Sequence, residues 1–173
     1  MHGKNQKLVN PSFHITCCVQ MENSIHINTN IPAEPESVWQ AITNPEHLNQ
    51  IFEELQCHCE WTVGTKIQFT RQQDEHDLVV EKGEVIRVSA QNLLEYTSFP
   101  TQMGIEDDLE NYIVVCYILL DNYDGTTHLS ITQKGYNYVE GGLDRYIAAQ
   151  KSWKKYLPKL IEHASNLNIK SKA

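Results

Sequence analysis

No stretch of this sequence is apolar over the roughly 20 residues that a membrane-spanning helix requires, so no membrane span is expected. The N-terminus also lacks the long apolar stretch that follows the positive charges of a secretory signal. Basic residues are the minority, 14 Lys and Arg against 22 Asp and Glu, for a formal net charge of −8. A surface of that sign disfavours non-specific binding to nucleic acid and to anionic membranes. Neither partner is expected. The five cysteines do not form a spaced disulfide framework: Cys17 and Cys18 are adjacent, and Cys57 and Cys59 flank His58. The expected location is therefore the cytoplasm, with the thiols reduced. A glycine-rich phosphate loop, a nucleophile elbow and an HExxH motif are also missing, and no cofactor is expected.

What is present is ordinary globular text, 40% hydrophobic and 21% charged over 173 residues. That length suits one domain able to bury a core without metal or disulfide staples. Residues 1–12 are polar and aperiodic and read as a flexible leader, and residues 13–173 as a single domain. Phe13 to Met21 is apolar and extends toward a first strand, where Ile25, Ile27 and Ile31 alternate onto one face. Pro32 to Ser37 then opens a short helix carrying Val38, Trp39, Ala41 and Ile42. Asn44 caps a second, with Pro45 in its first turn and Leu48, Ile51 and Phe52 on its apolar side.

The middle of the chain is strand text: Gln56–Thr62, Lys66–Gln72, Leu78–Ser89, Leu93–Phe99, Tyr112–Asp121 and Thr127–Gly135. The short breaks between these segments favour antiparallel neighbours. After Gly141-Gly142 the period changes. Leu143, Tyr146/Ile147, Gln150, Trp153, Leu157, Leu160/Ile161 and Ala164 form a stripe over about six helical turns. Pro158 lies within it, and its missing N–H predicts a kink near Lys154–Leu157. One amphipathic helix cannot cover both faces of a seven-stranded sheet. The economical α+β solution is a curved antiparallel sheet bent around the helix, with a concave face that the helix need not fill.

Several segments carry a resemblance: Val38 to Leu48 (VWQAITNPEHL), Val63-Gly64-Thr65, Gly83-Glu84-Val85 and Asn92 to Thr97 (NLLEYT), then Gly125 to Ile131 (GTTHLSI), Gly135-Tyr136 and Ser152 to Leu160 (SWKKYLPKL). In this order and spacing the chain resembles the SRPBCC (START-like) superfamily, and within it the activator of heat-shock protein 90 ATPase homologue family, over residues 25–165. It departs from the family pattern at Ile51-Phe52, Ala90 and Ser152. The resemblance implies the helix-grip fold and a pocket for a small, largely apolar molecule.

On that fold, alternation puts Leu94, Tyr96 and Ser98 on the inner face, with Glu95 outward. Leu129, Ile131 and Gln133 share another inner face. Gln150 and Trp153 point in from the helix, and Trp61 and Phe69 supply aromatic walls. Such a mostly apolar set with a few polar groups suits a small-molecule site. The plainer reading is that Leu129 and Ile131 simply fill the core, whereas buried Gln133 and Gln150 each need a partner. Cys57-His58-Cys59 puts only two potential ligands on one strand face, so structural thiols and a surface histidine are the expectation rather than zinc. The acidic runs Asp74–Asp77 and Glu106–Glu110 read as solvated loops.

Three functions remain open: a module that binds a hydrophobic small molecule or lipid, a chaperone ATPase-modulating interaction protein, and a cyclase- or hydratase-type enzyme using the same cavity. The enzyme would need an acid or base in that cavity; Tyr96 and Tyr112 are the candidates. An exposed edge strand would also permit a homodimer.

Overall fold

The structure is a computed structural model that describes the backbone of residues 22–171 and the side chains of 22–167. The leader and the apolar stretch Phe13–Met21 lie outside the described residues.

The first strand, β1 (Ile25–Ile31), buries Ile25 and Ile31 at its two ends. Helix α1 (Pro35–Thr43) starts with proline in its first turn, and α2 (Pro45–Phe52) follows at once. The side chain of Asn44 caps α2 by accepting a hydrogen bond from the Glu46 N–H at 2.9 Å. Six more strands follow: β2 (Gln56–His58), β3 (Lys66–Gln73), β4 (His76–Ser89), β5 (Leu93–Pro100), β6 (Ile113–Asp121) and β7 (Thr127–Lys134). The last element among the described residues is α3 (Gly142–Ser171), which stays helical through Pro158.

The seven strands of the described residues join one sheet in the order β1-β7-β6-β5-β4-β3-β2, each pair antiparallel. Irregular register between Phe69 and Thr70 and between Val85 and Arg87 marks where the ladder bends. This is the helix-grip fold: a curved antiparallel sheet gripping a long C-terminal helix, with two short helices after the first strand.

Three expectations are corrected. The segment expected as Gln56–Thr62 pairs only over Gln56–His58. Trp61 adopts a left-handed backbone (φ 53°), which takes the chain out of the ladder. His76 and Asp77 belong to β4 rather than to a loop, because Asp74 (φ 55°) turns the hairpin tightly. The third concerns the inward face of the N-terminal part of α3. Leu143 is 60% exposed and Gln150 is also exposed, while Arg145 is buried at 6%. The true stripe runs Arg145, Ala149, Trp153, Tyr156, Leu160, Ala164.

Helix α3 packs directly on α1, α2 and β1. The core there joins Val38, Ala41, Leu160 and Ala164 to Leu94, Leu119, Leu129 and Ile131. Among the described residues, no helix is long and apolar enough to cross a membrane.

Candidate functional site

Nearer its N-terminus, α3 stands off the sheet and leaves a cavity of about 280 Å³. At roughly 30 Å³ per water this is roughly nine waters' worth of space, at the small end of ligand pockets. From α3 come Arg145, Ala149, Ser152, Trp153 and Tyr156, and from α2 comes Phe52. The sheet contributes Phe69 of β3, Glu81 of β4, Tyr96 and Ser98 of β5, Ile113 and Tyr117 of β6, and Gln133 of β7.

The wall is largely aromatic. Phe52 meets Tyr156 edge-on at 4.9 Å and Phe69 at 6.0 Å. Tyr96 and Tyr117 stack at 6.3 Å, and Trp153 closes on Tyr117 at 6.2 Å. Such rings give apolar area with fixed geometry.

Polar groups reach the cavity from β4, β5, β7 and α3. The Ser98 hydroxyl donates to the Glu81 carboxylate at 2.7 Å. Burial pushes the Glu81 carboxyl above its ordinary 4.5, against the opposing pull of the Ser98 hydroxyl and the Arg145 charge. Glu81 is partly uncovered and lines the cavity. Arg145 donates through Nη1 to the Asn111 carbonyl at 2.7 Å and through Nη2 to the Ser98 carbonyl at 3.4 Å. Burial lowers its pKa. The Tyr136 hydroxyl donates to Gln133 Oε1 at 2.7 Å, satisfying that amide oxygen. Burial drives the Tyr96 hydroxyl well above its ordinary value and raises Tyr117 and Tyr136 too, so all three are neutral at neutral pH.

Of the residues singled out in the sequence, Phe69, Tyr96, Gln133 and Trp153 line the cavity together. Leu94, Leu129 and Ile131 are fully buried in the core beside it. Trp61 stands behind Tyr96, with ring centroids 6.1 Å apart, and its indole N–H donates to the Thr43 carbonyl at 2.6 Å. Gln150 does not reach the cavity; its amide donates to the Tyr146 hydroxyl at 2.8 Å on the exposed side of α3. Tyr112 also lies away from the cavity, stacked on Phe99 at 5.0 Å and donating to Asp107 at 2.8 Å. In Cys57-His58-Cys59, Cys57 is buried and His58 meets Thr70 Oγ1 at 3.1 Å.

Sequence reasoning missed Glu81, Arg145 and Tyr117. Counting back by twos from Val85 places Glu81 on the inner face, and counting back by fours from Trp153 passes Ala149 and reaches Arg145.

A bent sheet, a gripping helix and a cavity between them, walled by aromatic rings and reached by a few polar groups, define a START-like protein. The chain belongs to the family described as Activator of Hsp90 ATPase homolog 1-like protein, whose model matches residues 32–165. No curated protein matches it in sequence. Among solved structures it is similar to a protein of Cytophaga hutchinsonii (25% identity, TM-score 0.66, covering 87% of this chain and 97% of that one). It is also similar to a Mesorhizobium loti protein (24%, TM-score 0.65, 83% and 97%). A third is described as an HSP90 activator from Plasmodium falciparum (18%, TM-score 0.60, 79% and 92%).

Proposed function

We propose that this protein binds a compact, mostly apolar small molecule between its sheet and α3. The observation that carries this reading is the cavity itself, with about 280 Å³ between aromatic walls and only a few polar groups in its lining. At close packing that space takes about 10–15 non-hydrogen atoms, which favours a one- or two-ring compound over a diacyl lipid. The test is native mass spectrometry and thermal shift against a metabolite library, repeated on Ala149→Phe, which fills the cavity from the helix side. Ligands should bind the wild type and not the variant. Equal binding to both would overturn the reading.

A second reading, an enzyme acting on the same ligand, is favoured by Glu81, an ionisable group that faces the cavity. Mass spectrometry of a bound ligand after prolonged incubation tests it, and an unchanged ligand excludes it. Modulation of a chaperone ATPase is supported by the family's description and by that of the Plasmodium falciparum protein. It requires binding to the chaperone and a change in its ATPase rate.

A further inference from the structure

We infer that the cavity's ligand is a carboxylate, seated on the Arg145 guanidinium beside a protonated Glu81. This rests on the small-molecule reading above and names the class of molecule.

Arg145 is only 6% exposed. Its two hydrogen bonds go to backbone carbonyls, of Asn111 and Ser98, and these neutralise no charge. A guanidinium carries five N–H groups in a planar fork, so donors remain for a partner on the cavity side. The charged residues lining the cavity are Arg145 and Glu81, one of each sign. Every other titratable group acting on Glu81 is neutral at neutral pH. Tyr96 and Tyr117 on the neighbouring strands and Tyr136 before α3 are pushed up by burial, and the Cys57 thiol is raised to about 12.

Two ligand classes could satisfy such a pair. A neutral or cationic molecule would need Glu81 ionised, and a cation would also sit against Arg145. An anion needs Glu81 neutral, the direction in which burial pushes it, and gives the buried guanidinium, whose two hydrogen bonds go to backbone carbonyls, a charged partner. A carboxylate also matches the guanidinium fork bidentately. The neutral Glu81 then donates its own O–H to the ligand, while its other oxygen keeps the Ser98 hydroxyl.

The test uses three probes of one skeleton, each sized to the cavity: 2-naphthoic acid, 2-naphthalenemethanol and 2-naphthylmethylamine. Binding is measured by calorimetry between pH 6 and pH 8. The acid should bind at least tenfold tighter than the alcohol and the amine. Its affinity should fall as pH rises, by up to tenfold per unit. Glu81→Gln should abolish that pH dependence and bind the acid more tightly than wild type at pH 8. Arg145→Met should lose at least tenfold in affinity for the acid, and circular dichroism confirms that it folds. The wild-type probe series does not depend on either variant. Equal or tighter binding of the alcohol or amine overturns the carboxylate assignment and leaves the cavity reading standing. Failure of all three probes to bind overturns both.

Discussion

Gly83 on β4 faces Thr97 on β5 so closely that a Cβ built on it would lie 1.7 Å from the Thr97 carbonyl oxygen. The Thr97 hydroxyl also accepts from the Glu84 N–H at 2.9 Å, fastening the two strands beside this contact. Glycine inside a strand commonly marks such a close backbone approach. Here it lies in the same stretch as the register irregularity that bends the sheet toward α3. Because the obstacle is backbone rather than a flexible side chain, Gly83→Ala should destabilise the fold by about 3 kcal/mol or more. Chemical denaturation would show it as a lower midpoint; a midpoint equal to wild type would refute it.

Glu81 makes stability depend on pH. Its folded pKa is raised, mainly by burial. Below its ordinary value of 4.5 the carboxyl is protonated in both states and has no effect. Above it the unfolded chain releases a proton that the folded protein keeps, so stability falls with rising pH until the folded group ionises too. Glu81→Gln removes this dependence, and its amide oxygen still accepts from Ser98. At neutral pH the ligand-free variant should be more stable by on the order of 1 kcal/mol, or about 2–4 °C in Tm. That gain should vanish by pH 4. Melting curves at pH 4 and pH 7 check it; a variant no more stable at pH 7 than wild type contradicts it.

The architecture was readable because it follows from period alone. Alternation through Ile25 and Ile31, the turn residues between strands, and the four-residue spacing from Trp153 to Ala164 all survive in the structure. The cavity was only half readable. Phe69, Tyr96 and Trp153 were found because apolar periodicity points inward. Glu81 and Arg145 were missed for the same reason: a search for apolar faces reads a charged residue as solvent-facing. The phase of α3 then slipped toward Leu143 and Gln150, whose side chains lie on the exposed side. Trp61 misled differently, since its left-handed backbone turns it out of the strand pattern and behind Tyr96.

Cys57 should be chemically silent in the native protein. Burial, with smaller contributions from Cys59 and Glu81, lifts its thiol to about 12, and only 3% of the residue is exposed. The reactive species is the thiolate, so at pH 8 about one molecule in 10,000 would carry it even if reagent could enter. Iodoacetamide at pH 8 followed by peptide mass spectrometry should leave Cys57 unmodified in the folded protein and alkylate it in urea. Modification without denaturant would show that β2 opens readily.

The same chemical change should have opposite weight at two of the positions first proposed to line the cavity. Leu129 is fully buried, pairs with Thr29 of β1 and Leu119 of β6, and belongs to the core cluster under the helices. Leu129→Ala removes three buried carbon atoms from a site held on two sides by backbone ladders, so little collapse into the space is available. The expected loss is about 2–5 kcal/mol. Gln150 is exposed, and its one side-chain hydrogen bond, to the Tyr146 hydroxyl, runs along the surface of α3. Gln150→Ala gives up that bond but gains helix propensity, for a net change within about 0.5 kcal/mol. Urea denaturation of both variants beside wild type measures the contrast. Were Gln150→Ala as damaging as Leu129→Ala, α3 would have to be rotated so that the Leu143–Ile147–Gln150 face, rather than Arg145–Ala149–Trp153, meets the sheet.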